Sequence, residues 1–324
     1  MNRRDPTERW LLETDNPSVR YFTLIELCGV SPEAEEAERA KRAIVRGPHV
    51  RTLLSGQEPD SGFGVHPYRK WHGAHWRLVS LVELGIPAKL PPALAAAEQV
   101  LAWLGSKEHS LTTRKISGRW RCHASQEGNA LAVCCRLGLA GDPRVRGLAE
   151  SLHEKQWPDG GWNCDPRPQA HHSSFHESLP PLWGLAEYHR VTGDRKTLVA
   201  ARKAREFFLR HHLFRSERTG KVIIREWLTP HYPPYWHYDI LQALLILSRF
   251  EGISDPRADA ALDIIEQRRM PDGRWKCGPR YWRIAKEKSS KPVEIVDWGR
   301  IGPNKMATLN ALRVLKAAGK FGGF

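Results

Sequence analysis

The stretch Gln156-Trp157-Pro158-Asp159-Gly160-Gly161-Trp162-Asn163-Cys164-Asp165 constrains the fold more than any other part of the chain, because a version of it returns. Pro158 through Gly161 are turn formers that stop a preceding helix and let the next aromatic fold back onto the helix end. The pattern Pro-Asp-Gly-x-Trp-x-Cys recurs at Pro271 to Cys277, and weaker echoes stand at Ser117 to Cys122 and Pro59 to Gly64. The loop aromatics Phe63, Trp120, Trp162 and Trp275 are 57, 42 and 113 residues apart. These gaps are close to one, one and two copies of a unit of about 55 residues, and a turn plus an aromatic at such a period marks stacked helical repeats.

After each loop the chain takes one form: a nearly all-apolar helix, then an amphipathic one. The first wants burial on most sides; the second can face water. Asn16-Pro17 opens a helix continuing over Val19 to Leu27, and a partner carries Ala34, Ala37, Ala40 and Ile44 at helical spacing. The next units predict helices over His75 to Leu84 and Pro92 to Leu104, then Asn129 to Leu137 and Asp142 to Lys155. The fourth predicts His176 to His189, with Pro180-Pro181 in its first turn or kinking it, then Lys196 to Arg210. The fifth has an atypical lead-in from Trp227 to Tyr235, then His237 to Phe250 and Asp255 to Gln267; the sixth carries a basic insertion from Tyr281 to Gly302 before a last helix over Lys305 to Ala318.

Six such pairs predict an all-α fold, an (α/α)6 toroid of alternating inner and outer helices forming one domain over residues 1–324. An open solenoid would need polar caps at both ends. The apolar first and last inner helices favour a closed ring.

No run of 18 apolar residues exists, so no membrane span is expected. No hydrophobic stretch comes after the basic start Met1 to Pro6, so no secretory signal is expected either. Six scattered cysteines do not make a disulfide framework, and a cytoplasmic chain with reduced thiols is the expectation. The net charge of +14 favours polyanions as partners, whether nucleic acid, anionic lipid or a phosphorylated small molecule.

Gln156 to Trp162, and more loosely Pro271 to Cys277, resemble the Gln-Trp repeats of the superfamily of squalene-hopene and oxidosqualene cyclases and protein prenyltransferase beta subunits. The resemblance covers essentially the whole chain and implies a toroid around a central cavity for an isoprenoid-like molecule. The family's chemistry does not come with it. There is no Asp-x-Asp-Asp run, no Asp-Cys-Thr-Ala-Glu run and no Asp-x-Cys pair, and His237-Tyr238-Asp239 is only vaguely similar to the prenyltransferase zinc-binding helix. The fold is implied; the reaction is not.

If the inner helices begin just after the loops, their first turns ring one mouth of the cavity. Those turns carry His75 and Trp76, Glu127 and Asn129, His176 and Glu177, His237 with Tyr238 and Asp239, and Asn304 with Lys305. Helix capping and the helix dipole explain Glu127, Asn129 and Asn304 without any site. Histidines beside carboxylates suit acid–base chemistry near neutral pH. His237, Asp239, His176 and Glu177 are therefore the expected catalytic residues. His75, Trp76, Glu127, Asn129 and Tyr238 are expected to touch the ligand, with Arg283 and Lys305 on any negative group.

Cys122, Cys164 and Cys277 each stand two residues after a loop tryptophan, with His123 beside the first and His171 and His172 after the second. They are candidate zinc ligands only if the loops meet. Loops held apart on the rim leave them as small buried residues, so no metal is the default, with zinc or magnesium as the cofactors such an enzyme would use.

The functional expectation is a terpenoid cyclase-like or prenyltransferase-like protein, an enzyme of lyase, isomerase or transferase type, acting on a hydrophobic and in part phosphorylated small molecule. A nucleic-acid-associated basic protein, an (α/α)6 carbohydrate-active enzyme with paired carboxylates and a non-catalytic scaffold are the alternatives.

Overall fold

A computed structural model describes residues 5–324; Met1 to Arg4, part of the start read for a secretory signal, lie outside the described residues. The helices are α1 (Pro6–Leu11), α2 (Pro17–Phe22, continued by a π-helical turn over Thr23–Leu27), α3 (Glu35–Ile44), α4 (Pro48–Leu54), α5 (Ala74–Glu83), α6 (Pro91–Leu104), α7 (Lys107–Ser110), α8 (Ala124–Arg136), α9 (Pro143–Lys155), α10 (Phe175–Thr192), α11 (Arg195–Arg210), α12 (Ile240–Arg249), α13 (Asp259–Gln267) and α14 (Lys305–Ala317). Two small ribbons accompany them: β1 (Arg114–Ile116) antiparallel to β2 (Arg119–Arg121), and β3 (Arg283–Ile284) parallel to β4 (Val293–Glu294).

The architecture is an all-α toroid. Inner helix α5 packs on α8, α8 on α10, α10 on α12, α12 on α14, and α14 returns to α2 and its π turn. Gly85 closes the remaining side: a Cβ there would meet the Phe22 ring at 2.6 Å. The outer layer keeps the same register, with α3 on α2, α6 on α5, α9 on α8, α11 on α10 and α13 on α12. α13 also packs on α14, and α1 comes round to the loop leading into it, where Thr7 Oγ1 donates to the Asp272 carbonyl at 3.0 Å and Trp10 lies under Arg274.

The two strong loop repeats are built identically. Trp162 Nε1 donates to the Leu152 carbonyl at 2.9 Å and Trp275 Nε1 to that of Ile265 at 2.8 Å, each ten residues back at the end of an outer helix. The two tryptophan amides donate to Ser178 Oγ and Thr308 Oγ1, both at 3.0 Å and both at the fourth position of the next inner helix. Their carbonyls accept the amides of Ser174 and Asn304, the residues that cap those helices, at 2.8 Å. Both indoles are fully buried. One side chain therefore sets the spacing between an outer helix and the next inner one. The weaker echoes differ: Trp120 lies on β2 and offers its carbonyl to Trp157 Nε1 at 2.7 Å, and Phe63 packs under the Arg77 guanidinium.

The inner helices run parallel, and their C-terminal ends are tied by charge. Glu83 reaches Arg136 at 3.4 Å and Arg249 at 3.1 Å, Arg136 reaches Glu187 at 2.7 Å, and Arg313 reaches Glu26 at 2.7 Å. Arginines suit the negative end of a helix dipole, and each glutamate placed there unfavourably is neutralised by one. These pairs seal one end of the ring and leave the N-terminal ends of the inner helices as its mouth.

Three boundaries differ from the sequence expectation. α8 starts at Ala124, five residues before Asn129; α12 starts at Ile240, so that His237 precedes the helix; and α10 runs unbroken through Pro180 and Pro181. Beside the prolines the neighbouring backbone comes in close. Cβ atoms at Gly128 and Gly184 would lie 2.3 Å from Pro181 N and 2.4 Å from Gly128 O, so α8 and α10 touch through glycine.

This contact yields a test. Gly184→Ala should destabilise by about 1–3 kcal/mol, since overpacking must push two backbones apart. Gly147→Ala, on α9 with open space around it, should be neutral or stabilise by up to about 1 kcal/mol. Chemical denaturation of both variants checks this.

Candidate active site

Five of the six inner helices and the segment His231 to Tyr235 wall a cavity of about 60 Å³ on the ring axis. Its floor is Glu83 and Arg249 of the charged seal, and its lining is mostly apolar with Asn129, Gln242, Asn310 and Asp239 facing it. Asp239 is fully buried as the N-cap of α12. Its Oδ1 accepts the Gln242 amide and its Oδ2 the His231 amide, both at 2.9 Å. The His231 ring lies alongside, with Nδ1 3.6 Å from Asp239 Oδ2 and no hydrogen-bond partner of its own. His231, Tyr232 and Pro233 also line a second cavity of about 140 Å³, so this residue pair stands between two spaces.

His237, grouped with Asp239 in the sequence reading, is not the histidine that lies beside it. His237 lies outside the helix, with its ring stacked 3.4 Å from Tyr281 and 4.0 Å from Trp236. Burial pulls its pKa down to about 3, so it is neutral near pH 7. His176 is also a packing residue: its Nδ1 accepts the Tyr238 amide at 3.0 Å, and burial lowers its pKa. His75 is buried against Tyr68 and Trp76, with its Nε2 3.5 Å from Asn129 Nδ2 and its pKa pulled by burial to about 3.

Of the expected ligand contacts, Asn129 faces the axis and several others do not. Trp76 is fully buried and donates to the Tyr68 carbonyl; Tyr238 is buried with its hydroxyl donating to the Leu213 carbonyl. Glu127 turns outward to α9, accepting from Ser151 and pairing with Lys155 at 3.1 Å, because α8 begins earlier than expected and rotates it off the axis. Lys305 is held by Glu13 and Asp15. Arg283 donates from its guanidinium to the Lys291 carbonyl at 2.9 Å and the Glu287 carbonyl at 3.1 Å.

Arg283 lines a cleft of about 580 Å³ at the mouth with His66, Tyr68, Arg69, Lys70 and Lys291. Among the described residues Arg69, Lys70 and Lys291 form no ion pair, and Lys70 Nζ sits over the Trp236 and Trp71 rings. Trp71 stacks on Tyr235 at 4.1 Å, and this aromatic partition separates the cleft from the axial cavity. Behind it Glu294 is buried on β4, and burial raises its pKa to about 7 although the Ile295 and Val296 amides bond to it.

Glu177 turns toward Cys164 and His123 rather than toward the axis. Its Oε2 accepts the Ser125 amide at 2.9 Å, its Oε1 is 3.9 Å from His123 Nδ1, and the three donors lie within 4.8 Å of one another. Of the three loop cysteines only Cys164 joins this group. Cys122 is buried away from it and Cys277 lies on the other side of the mouth, beside Tyr232 and Asp239; burial pushes the thiols of Cys164 and Cys277 alike up to about 12.

Neither the known protein families nor the curated proteins include a match to this sequence. Among solved structures, the type II terpene cyclase MstE from Scytonema is similar at 14% identity, covering 86% of this chain and 98% of that one, with a TM-score of 0.29. A variant of that cyclase in complex with geranylgeranyl dihydroxybenzoate aligns at the same identity with a TM-score of 0.27. These overlaps are loose, and the ring stands on contacts within this chain. Among the described residues no helix is long and apolar enough to cross a membrane.

The buried histidines set a pH dependence. A histidine whose folded pKa lies below its unfolded value of 6.5 takes up its proton on unfolding, so the stability it contributes is complete above about pH 7 and is lost as pH falls from 6.5 toward 3. His75→Gln should therefore show a smaller drop in Tm between pH 7 and pH 5 than the wild type, measured by calorimetry. An unchanged drop would show that His75 is charged when folded.

Proposed function

We propose that this protein is an enzyme of isoprenoid type, working as one unit over residues 1–324, on a hydrophobic molecule that carries an anionic group. The basic cleft takes the anionic group and the aromatic partition guides the hydrophobic part toward the axis. Asp239 is the proton donor and acceptor, and His231 beside it supplies or receives the proton. Protonation of an alkene or similar group makes a cation that Trp183, Tyr232 and Tyr235, all lining the cavity, stabilise through their ring faces. Return of a proton to the same pair completes an isomerisation, with the substrate's formula and oxidation state unchanged.

The observation that carries this reading is the Asp239–His231 pair: a fully buried carboxylate on the wall of a largely apolar cavity, with a histidine nitrogen that has no other partner. A cavity of about 60 Å³ is below the roughly 300–1,000 Å³ of ordinary ligand sites. The segment from His231 to Tyr235 must therefore give way when the substrate enters.

The test is turnover of a panel of polyprenyl diphosphates and prenylated aromatic acids, read by mass spectrometry. Asp239→Asn keeps the cap, since Asn caps as well as Asp, and should lower turnover by about 10²–10⁴-fold. His231→Gln should lower it as well while leaving substrate binding in place. Full turnover by Asp239→Asn would remove the role given to the pair.

A further inference from the structure

We infer that His123, Cys164 and Glu177 form a binding site for a zinc-type divalent cation at the rim of the mouth, a site independent of Asp239 and His231 and of the reaction proposed for them. The three donors come from three separate pieces of chain, and each piece is fixed by its own bonds. Cys122 N–H donates to the Asn163 carbonyl at 3.1 Å, which lays the segment bearing His123 beside the one bearing Cys164. Asn163 Oδ1 accepts the Asp165 amide and Asn163 Nδ2 donates to the His172 carbonyl, which shapes the Cys164 loop. Glu177 stands in the first turn of α10, where Ser174 caps the helix by accepting the Glu177 amide.

The carboxylate is already oriented. Ser125 N–H holds Oε2 and leaves Oε1 toward His123, the arrangement by which an outer hydrogen bond aims a metal ligand. Donor atoms within 4.8 Å of one another need to close by about 1 Å to reach a common tetrahedral centre with bonds of about 2.0–2.3 Å. A thiolate and a carboxylate balance a divalent charge, and sulfur with imidazole selects zinc over magnesium or calcium. Binding displaces the Cys164 thiol proton to solvent. Three protein donors leave the fourth position to water, and His123, whose side chain is 43% exposed, keeps the site open to it. Tyr68 connects this site to the basic cleft: it lines the cleft, and the charges of Glu177 and Cys164 add to burial in raising its hydroxyl to about 12.

The pattern of loop cysteines points toward this site and names two wrong members. Cys122 and Cys277 do not reach it, and the histidine and glutamate that complete it are spaced by the fold rather than by the repeat.

The experiment strips the protein with a chelator and titrates it with zinc and, separately, with cobalt(II). Wild type should bind one equivalent of zinc at micromolar or lower concentration, and cobalt should give the near-ultraviolet thiolate charge-transfer band of a cysteine ligand. Cys164→Ser should abolish the band, and His123→Ala, a change at a half-exposed side chain, should weaken zinc binding at least tenfold while circular dichroism stays unchanged. Cys277→Ser should keep both the band and the affinity. No stoichiometric zinc binding by the wild type, or a cobalt band that survives Cys164→Ser, would overturn the assignment.

Discussion

A helix that is apolar around nearly its whole circumference can be buried only if both neighbours and the groups across the axis offer it apolar surface, and that demand closes this chain into a ring. α8 is the clearest case: twelve of its thirteen residues are buried, Ala124 through Cys135. It has α5 and α10 on its flanks and α9 behind. An open array would leave α2 and α14 each with a bare apolar side. They cover one another instead, with Arg313 forked onto Glu26 and Lys316 reaching the Glu26 carbonyl at 2.7 Å. Arg313 is itself buried, so losing Glu26 would strand a charge in the interior.

Because the helices run parallel, the two ends of the ring are chemically unlike. The C-terminal end gathers carbonyl dipoles and is closed by arginine–glutamate pairs. The N-terminal end gathers amides, caps and the loops that precede each inner helix, so side chains from distant stretches meet there. Asp239 caps α12, Glu177 lies in the first turn of α10, and the basic cleft is built from the loop before α5 together with the insertion after Trp275. Asp239, Glu177 and the basic cleft all stand at or just inside this mouth.

Much of this architecture is legible because the repeat has a physical cause. A tryptophan that bonds back to the outer helix and forward to the inner one cannot change place without losing both, so Trp162 and Trp275 keep their spacing to the helices and reveal the unit. The candidate site is less legible for equally specific reasons. His231 lies in the run Pro230-His231-Tyr232-Pro233-Pro234, which has no helical period, so nothing in the sequence aims it at Asp239. Starting α12 three residues too early puts His237 in its first turn, whereas the structure places it before the helix with its ring stacked on Tyr281. Lys305 reads as a free cation because its partners Glu13 and Asp15 lie about 290 positions away. Glu26, Glu83, Arg136, Glu187, Arg249 and Arg313 belong to no repeated motif, and only closure brings them together as a seal.

Closure is thus the premise on which the mouth, the cavity and the placement of Asp239 all depend, and amide hydrogen exchange after removal of residues 305–324 addresses it most directly. In a closed ring α2 loses the neighbour that covers it, so protection over residues 17–27 should fall as far as protection over 240–249, although the first segment is nearly the whole chain away from the cut. Retained protection over 17–27, with loss confined to residues near the new end, would be the behaviour of an open array and would contradict the account.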